Sequence, residues 1–172
     1  MSEPQQKLEV FYDFLCPYCC QGVTELMDML ENHPALSIQW VPCEAHPRPE
    51  FAPQHSDLAA AALLAVVAEG GNPVTFNRLV YRAVYTERIR IDNPRVLTEL
   101  AARAGADAQK VRAALDTGRY AKEVAANNEL VWDKLGFEAV PSYRMNGQTL
   151  GSGSGVVVEK PALCAFLDKQ LA

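Results

Sequence analysis

The order of apolar and polar positions divides the chain into recognisable elements. Residues 7–14 (Lys-Leu-Glu-Val-Phe-Tyr-Asp-Phe) are rich in β-branched and aromatic types and predict a buried strand. Pro17 suits a first helical position, where the missing N–H costs nothing. From there Val23, Leu26, Met27 and Leu30 fall on one helical face, and Asn32-His33-Pro34 ends the pattern. Residues 36–41 (Leu-Ser-Ile-Gln-Trp-Val) alternate as a second strand. Strand, helix and strand in so short a span form a βαβ unit, whose strands run parallel.

A loop over 42–55 follows, and its four prolines resist both helix and sheet. From 56 to 135 the pattern turns helical, with five segments at roughly 57–69, 73–86, 94–104, 108–116 and 119–135. Asn72-Pro73 and Asn93-Pro94 pair a cap with a first-turn proline, Asp107 is a further cap, and Gly136 closes the last helix. Strand character returns at 140–145. Asn146-Gly147 then predicts a type I′ hairpin turn into a return strand over 148–151. Residues 152–155 (Ser-Gly-Ser-Gly) read as flexible. Pro161 opens a final helix with Leu163, Cys164, Phe166, Leu167 and Leu171 available for its inner face. There is no internal repeat. Removing the helical block leaves βαβ–ββα. The expected class is therefore α/β, a thioredoxin-like layout over 1–55 and 136–172, with 56–135 inserted as an all-helical subdomain.

Composition narrows the function classes. The 172 residues are 49% hydrophobic and 22% charged, enough for a substantial core without disulfide staples. A net charge of −5 argues against nucleic acid as a partner. The densest basic stretch, Arg78, Arg82, Arg88, Arg90 and Arg95, is interspersed with acids and reads as a solvated helix face. Residues 1–7 are polar and lack the apolar run of a secretory signal, and the longest apolar run, 58–68, is too short to cross a bilayer. These features predict a cytoplasmic protein with no membrane partner.

The five cysteines are distributed unevenly, with 16, 19 and 20 clustered and 43 and 164 alone. That is a reactive site with isolated thiols rather than a secreted disulfide framework. Cys16 and Cys19 lie three apart, with the first at the predicted N-cap, where unpaired N–H groups and the helix dipole favour an anion. A thiolate is the reactive form, and the first cysteine of such a pair can titrate at about 3.5–7. Cys19, one turn along, is close enough to attack a mixed disulfide on Cys16. Cys20 points about 100° away and reads as a packing residue. Cys43 and Cys164 read as core thiols. A zinc-binding module is an alternative, since Cys16 and Cys19 with Cys43 and His46 offer two ligand pairs. However, the first pair opens an amphipathic helix rather than a knuckle, and His46 lies in a proline-rich loop. No nucleotide, flavin or phosphate-loop motif occurs, so no cofactor is expected and side chains would carry the redox chemistry.

The segment 11–22 (Phe-Tyr-Asp-Phe-Leu-Cys-Pro-Tyr-Cys-Cys-Gln-Gly), the helical block, and Val140-Pro141-Ser142-Tyr143 before Asn146-Gly147 together resemble the DsbA family of thioredoxin-fold oxidoreductases, most closely its FrnE-like, signal-less members. The resemblance implies Cys16 as attacking and Cys19 as resolving thiol, with Pro141 as a cis-proline facing the pair. It implies that Val140 pairs with an extended substrate, flanked by Pro17 and Tyr18. The expected partners are protein or peptide dithiols and disulfides, or glutathione and similar small thiols. Departures from the family pattern are Glu138-Ala139 before Val140, Arg144 in the following strand, and Val10 where some relatives carry a buried acid. Asp13 could assist proton transfer or be an exposed strand residue. A glutathione-dependent isomerase of the 2-hydroxychromene-2-carboxylate type shares the layout, but such enzymes typically lack the second cysteine.

Overall fold

A computed structural model describes residues 6–153 and 155–172. Four strands form one sheet in the order β2-β1-β3-β4: β1 (Lys7–Tyr12), β2 (Ser37–Pro42), β3 (Ala139–Met145) and β4 (Gln148–Ser152). β1 pairs parallel with β2 and antiparallel with β3, and β3 pairs antiparallel with β4. The expected α/β class and the thioredoxin-like βαβ–ββα order are both present. β1 is central, so Leu8, Val10, Phe11 and Tyr12 are all fully buried and the strand reads as a nearly continuous apolar run. Glu9 stands opposite Arg144 in the register, and the two side chains form an ion pair. The arginine that departs from the family pattern is therefore matched across the sheet.

Helix α1 (Pro17–Met29) follows β1 and ends in a 3₁₀ turn over Leu30–Asn32. The helical block comprises α2 (Asp57–Ala68), α3 (Pro73–Tyr85), α4 (Pro94–Arg103), α5 (Ala108–Thr117) and α6 (Ala121–Asn128). Asn72, Asn93 and Asp107 each accept a backbone N–H of the first turn with the side chain, as cap residues do. α2 is apolar nearly all round and sits against α3, α4, α5 and α6 at the centre of the block. The chain closes with α7 (Lys160–Leu171), which buries Leu163 and Leu167. Among the described residues no helix is long and apolar enough to cross a membrane.

Four expectations change. The fifth predicted helix is not continuous, because α6 gives way to a π-helical turn over Glu129–Lys134. That turn carries Trp132 to the end of β2, where its indole Nε1 donates to the Glu44 carbonyl at 2.8 Å. Pro42 belongs to β2; this strand is at the sheet edge, where a residue without an N–H is tolerated. The basic stretch is not one helix face, since Arg78 and Arg82 lie on α3, Arg88 and Arg90 on the connection and Arg95 on α4. Within 152–155, Ser152 is buried and ends β4, and Gly153 bridges to Val156; Ser154 and residues 1–5 of the N-terminal segment lie outside the described residues.

Candidate active site

β1 ends at Tyr12, and a short turn delivers Cys16 to the N-cap of α1 in extended backbone geometry, φ −104° and ψ 117°. Cys16 is half-buried, Cys19 is fully buried, and both are free thiols. The Cys16 thiol is lowered from an ordinary 9 to about 7. A hydrogen bond from the Cys19 side chain is the largest cause; burial opposes it, and the backbone N–H groups of Cys19 and Tyr18 assist. The Cys19 thiol is pushed up, first by burial and then by its neighbour Cys16. The two thiols of the pair are thus shifted in opposite directions.

The opposite wall comes from β3. The Val140–Pro141 bond is cis, and the Cys16 Sγ lies 3.7 Å from the Val140 carbonyl oxygen. Arg48–Pro49 is a second cis bond. Proline has no N–H to give the ladder, and the β3–β4 register shifts between Ala139 and Tyr143. Two serine hydroxyls repair the gap. Ser142 Oγ accepts from the Ser152 N–H at 3.1 Å, while Ser152 Oγ donates to the Pro141 carbonyl at 2.6 Å and accepts from the Val158 N–H at 3.0 Å. Helix α1 meets this wall at Gly22, where a Cβ would lie 2.9 Å from Pro141 Cγ. Gly22, Ser142 and Ser152 were not singled out in the sequence. The signal at Gly22, a glycine inside an amphipathic helix, was readable as a close approach.

Tyr18 is 59% exposed and separates two concavities. One, of about 240 Å³, is lined by Cys16, Pro17, His46, Gln54 and His55. The other, of about 380 Å³, runs between α1 and the approach to α7, past Gly22, Glu25 and Val158.

Asp13 is 4% exposed and lies beyond the end of β1, which removes the exposed-strand reading. Its carboxylate accepts from the Leu15 N–H at 2.9 Å and the Ala45 N–H at 2.8 Å, so it ties the Cys16 turn to the loop after β2. Cys43 is buried, and burial pushes its thiol up. Cys20 is half-buried and likewise raised by burial. Cys164 packs against Met29, with 3.4 Å between sulfurs. His46 points outward to Glu50, 2.7 Å away. Among the described residues no three His, Cys, Asp or Glu side chains gather as a metal centre requires.

Residues 7–157 match the DSBA-like thioredoxin domain. Comparison with curated proteins gives no match. Among solved structures, a Nitrosomonas europaea protein provisionally described as a protein disulfide isomerase superposes with TM-score 0.80 at 15% identity, with 98% of each chain covered. The cytosolic disulfide reductase DsbM of Pseudomonas aeruginosa, solved also with GSH, gives TM-score 0.74 at 22% identity over 96% of this chain and 98% of that one. Chlamydia trachomatis DsbA gives TM-score 0.69 at 16% identity, over 97% and 89%. At these identities the superpositions establish the fold, and the domain match, spanning most of the length, establishes that the chain belongs to the DsbA-like thioredoxin family of disulfide oxidoreductases.

Proposed function

We infer that this protein exchanges disulfides through Cys16 and Cys19, with Cys16 as the sulfur that meets substrate. The observation that carries the reading is the asymmetry of the pair: a half-exposed thiol lowered to about 7 beside a buried thiol raised by burial. In the reducing direction the Cys16 thiolate attacks a substrate disulfide, forms a mixed disulfide and releases one substrate thiolate. Cys19, deprotonated as it reacts, attacks Cys16 Sγ and releases the second substrate thiol, leaving the Cys16–Cys19 disulfide. The oxidising direction is the reverse. Stabilising the reduced, thiolate form makes such a disulfide a better oxidant.

Extended protein or peptide segments would lie along Val140 and Pro141, beside Pro17 and Tyr18, using strand-like main-chain pairing. Glutathione or another small thiol would enter the smaller concavity at Cys16; a GSH complex is known for one fold neighbour. In this reading 1–55 and 136–172 carry the chemistry, and the inserted 56–135 block borders the substrate. A cytoplasmic setting fits three cysteines outside the pair and a cytosolic reductase among the fold neighbours. Asp13, with both carboxylate oxygens held by backbone N–H groups, would act on the pair through its charge and not as a proton relay.

The Cys19→Ser variant tests the reading. Incubated with a disulfide-bonded peptide, it should accumulate a mixed disulfide at Cys16, seen by mass spectrometry, while the wild-type protein turns the peptide over. Stoichiometric zinc binding without a reversible disulfide would sink the proposal. So would glutathione-dependent isomerase activity that survives Cys19→Ser.

A further inference from the structure

A third cavity, larger than either concavity beside Tyr18, opens between the loop after β2 and helices α2, α5 and α6. Its volume is about 660 Å³, within the range of small-molecule sites, and it shares no lining residue with the concavity at Cys16. The loop 43–56 is the partition: Ala45 and His46 face the redox side, while Glu44, Pro47 and Arg48 face the cavity.

Two properties of the lining define what it would accept. The first is apolar surface from Leu58, Leu115, Val124 and the indole of Trp132. The second is charge. Four carboxylates, Glu44, Asp57, Glu129 and Asp133, line the cavity against one guanidinium, Arg48, which is committed to Asp57 at 3.2 Å. Glu129 has Lys134 at 3.9 Å. An acidic cluster alone marks nothing, but Glu44 is different in kind. It is 6% exposed and held from three directions. Its N–H donates to Asn128 Oδ1 at 2.7 Å, its Oε2 accepts from Asn128 Nδ2 at 2.9 Å, and its carbonyl accepts from Trp132 Nε1 at 2.8 Å. Its second carboxylate oxygen, Oε1, is buried and has no donor among the described residues. A buried carboxylate costs free energy unless a donor or cation compensates it. The π-helical turn supplies Trp132, Glu129 and Asp133 together, and such turns are frequent at functional sites.

We propose that this cavity binds an organic cation, an ammonium or guanidinium on an apolar body, with the charge directed at Glu44 and the body against Leu58, Leu115, Val124 and Trp132. The cation is either a free amine or a lysine or arginine side chain of a bound protein segment. The proposal is independent of the exchange chemistry at Cys16.

Calorimetry on the full chain tests it with three probes: tryptamine, its uncharged counterpart indole-3-ethanol, and an acetylated pentapeptide with one arginine among leucines. Tryptamine or the peptide should bind one to one, with indole-3-ethanol at least tenfold weaker. The tighter of the two cations identifies free amine or side chain as the source. Bound cation should shift the Trp132 indole N–H resonance. Glu44→Gln should weaken binding at least tenfold, with circular dichroism and the rate of Cys16 alkylation unchanged. If Glu44→Gln does not fold, the surface pair Glu129→Gln and Asp133→Asn should still weaken binding about threefold, in a salt-dependent way. Equal binding of the alcohol, undiminished binding in folded Glu44→Gln or in the surface pair, or no binding of either cation at millimolar concentration overturns the proposal.

Discussion

Cys16 and Cys43 follow the C-terminal ends of neighbouring parallel strands, yet their thiols are shifted in opposite directions. Tyr12 and Pro42 are register partners, and the Cys43 N–H donates to the Tyr12 carbonyl, so the ladder carries on to Cys43 itself. Cys16 lies four residues further along, at the start of a helix, half-buried and lowered to about 7. Cys43 stays against the sheet, fully covered and raised. On the proposed function, adjacency to the Cys16–Cys19 pair does not by itself make a thiol reactive. What matters is a following helix that supplies N–H groups, a partner that donates a hydrogen bond, and access for substrate.

The largest test of that contrast is removal of each sulfur. Cys16→Ser should lower disulfide-exchange turnover by about a thousandfold or more, whereas Cys43→Ala should leave it within about twofold. Alkylation of the native protein should likewise modify Cys16 and spare Cys43 until the chain unfolds. Next in size is the packing that brings β3 to Cys16. Gly22→Ala forces a Cβ against Pro141 and should cost about 1–3 kcal/mol in urea denaturation, and should reduce turnover beyond what the stability loss explains.

The third test uses pH. Cys16 is depressed in the folded state, so its contribution is present above the ordinary thiol value of 9 and lost as pH falls through about 7. The stability of the reduced protein should therefore rise between those limits relative to Cys16→Ser, by no more than about 2 kcal/mol after allowance for solvent screening. Burial gives Cys43 and Cys19 the opposite sign, and they lower stability above 9. The smallest effect concerns the residue that joins the two regions. Asp13 raises both the Cys16 and Cys43 thiols by its charge. Asp13→Asn should move the Cys16 alkylation midpoint below its wild-type value, by a fraction of a pH unit. An unmoved midpoint would mean that the Asp13 charge is not felt at Cys16.

Much of this arrangement was legible because it is local. Cys16-Pro17 announces a helix start, Asn72-Pro73 and Asn93-Pro94 announce two more, and Asn146-Gly147 fixes the hairpin turn, where both residues have positive φ. What escaped reading is non-local. The π-helical turn at Glu129–Lys134 keeps helical composition and includes the bond from Trp132 to Glu44, far away in the chain. Ser142 and Ser152 look like turn residues, and their role depends on a ladder that Pro141 interrupts. Asp13 looked like one more strand position because nothing before the fold forms reveals that the Ala45 N–H will need an acceptor.

The contact between Cys16 and Val140 has a consequence for the time when the chain is made. The two residues are 124 positions apart, and β1 gains its antiparallel partner only from that distant segment. At ordinary rates of synthesis, about 6 to 25 s separate their emergence from the ribosome. Through that interval Cys16 and Cys19 are in the cell without the β3 wall that lines their site. A thiol-scavenging or chaperoning factor acting on nascent chains would meet the pair in that window, before β3 stands opposite it.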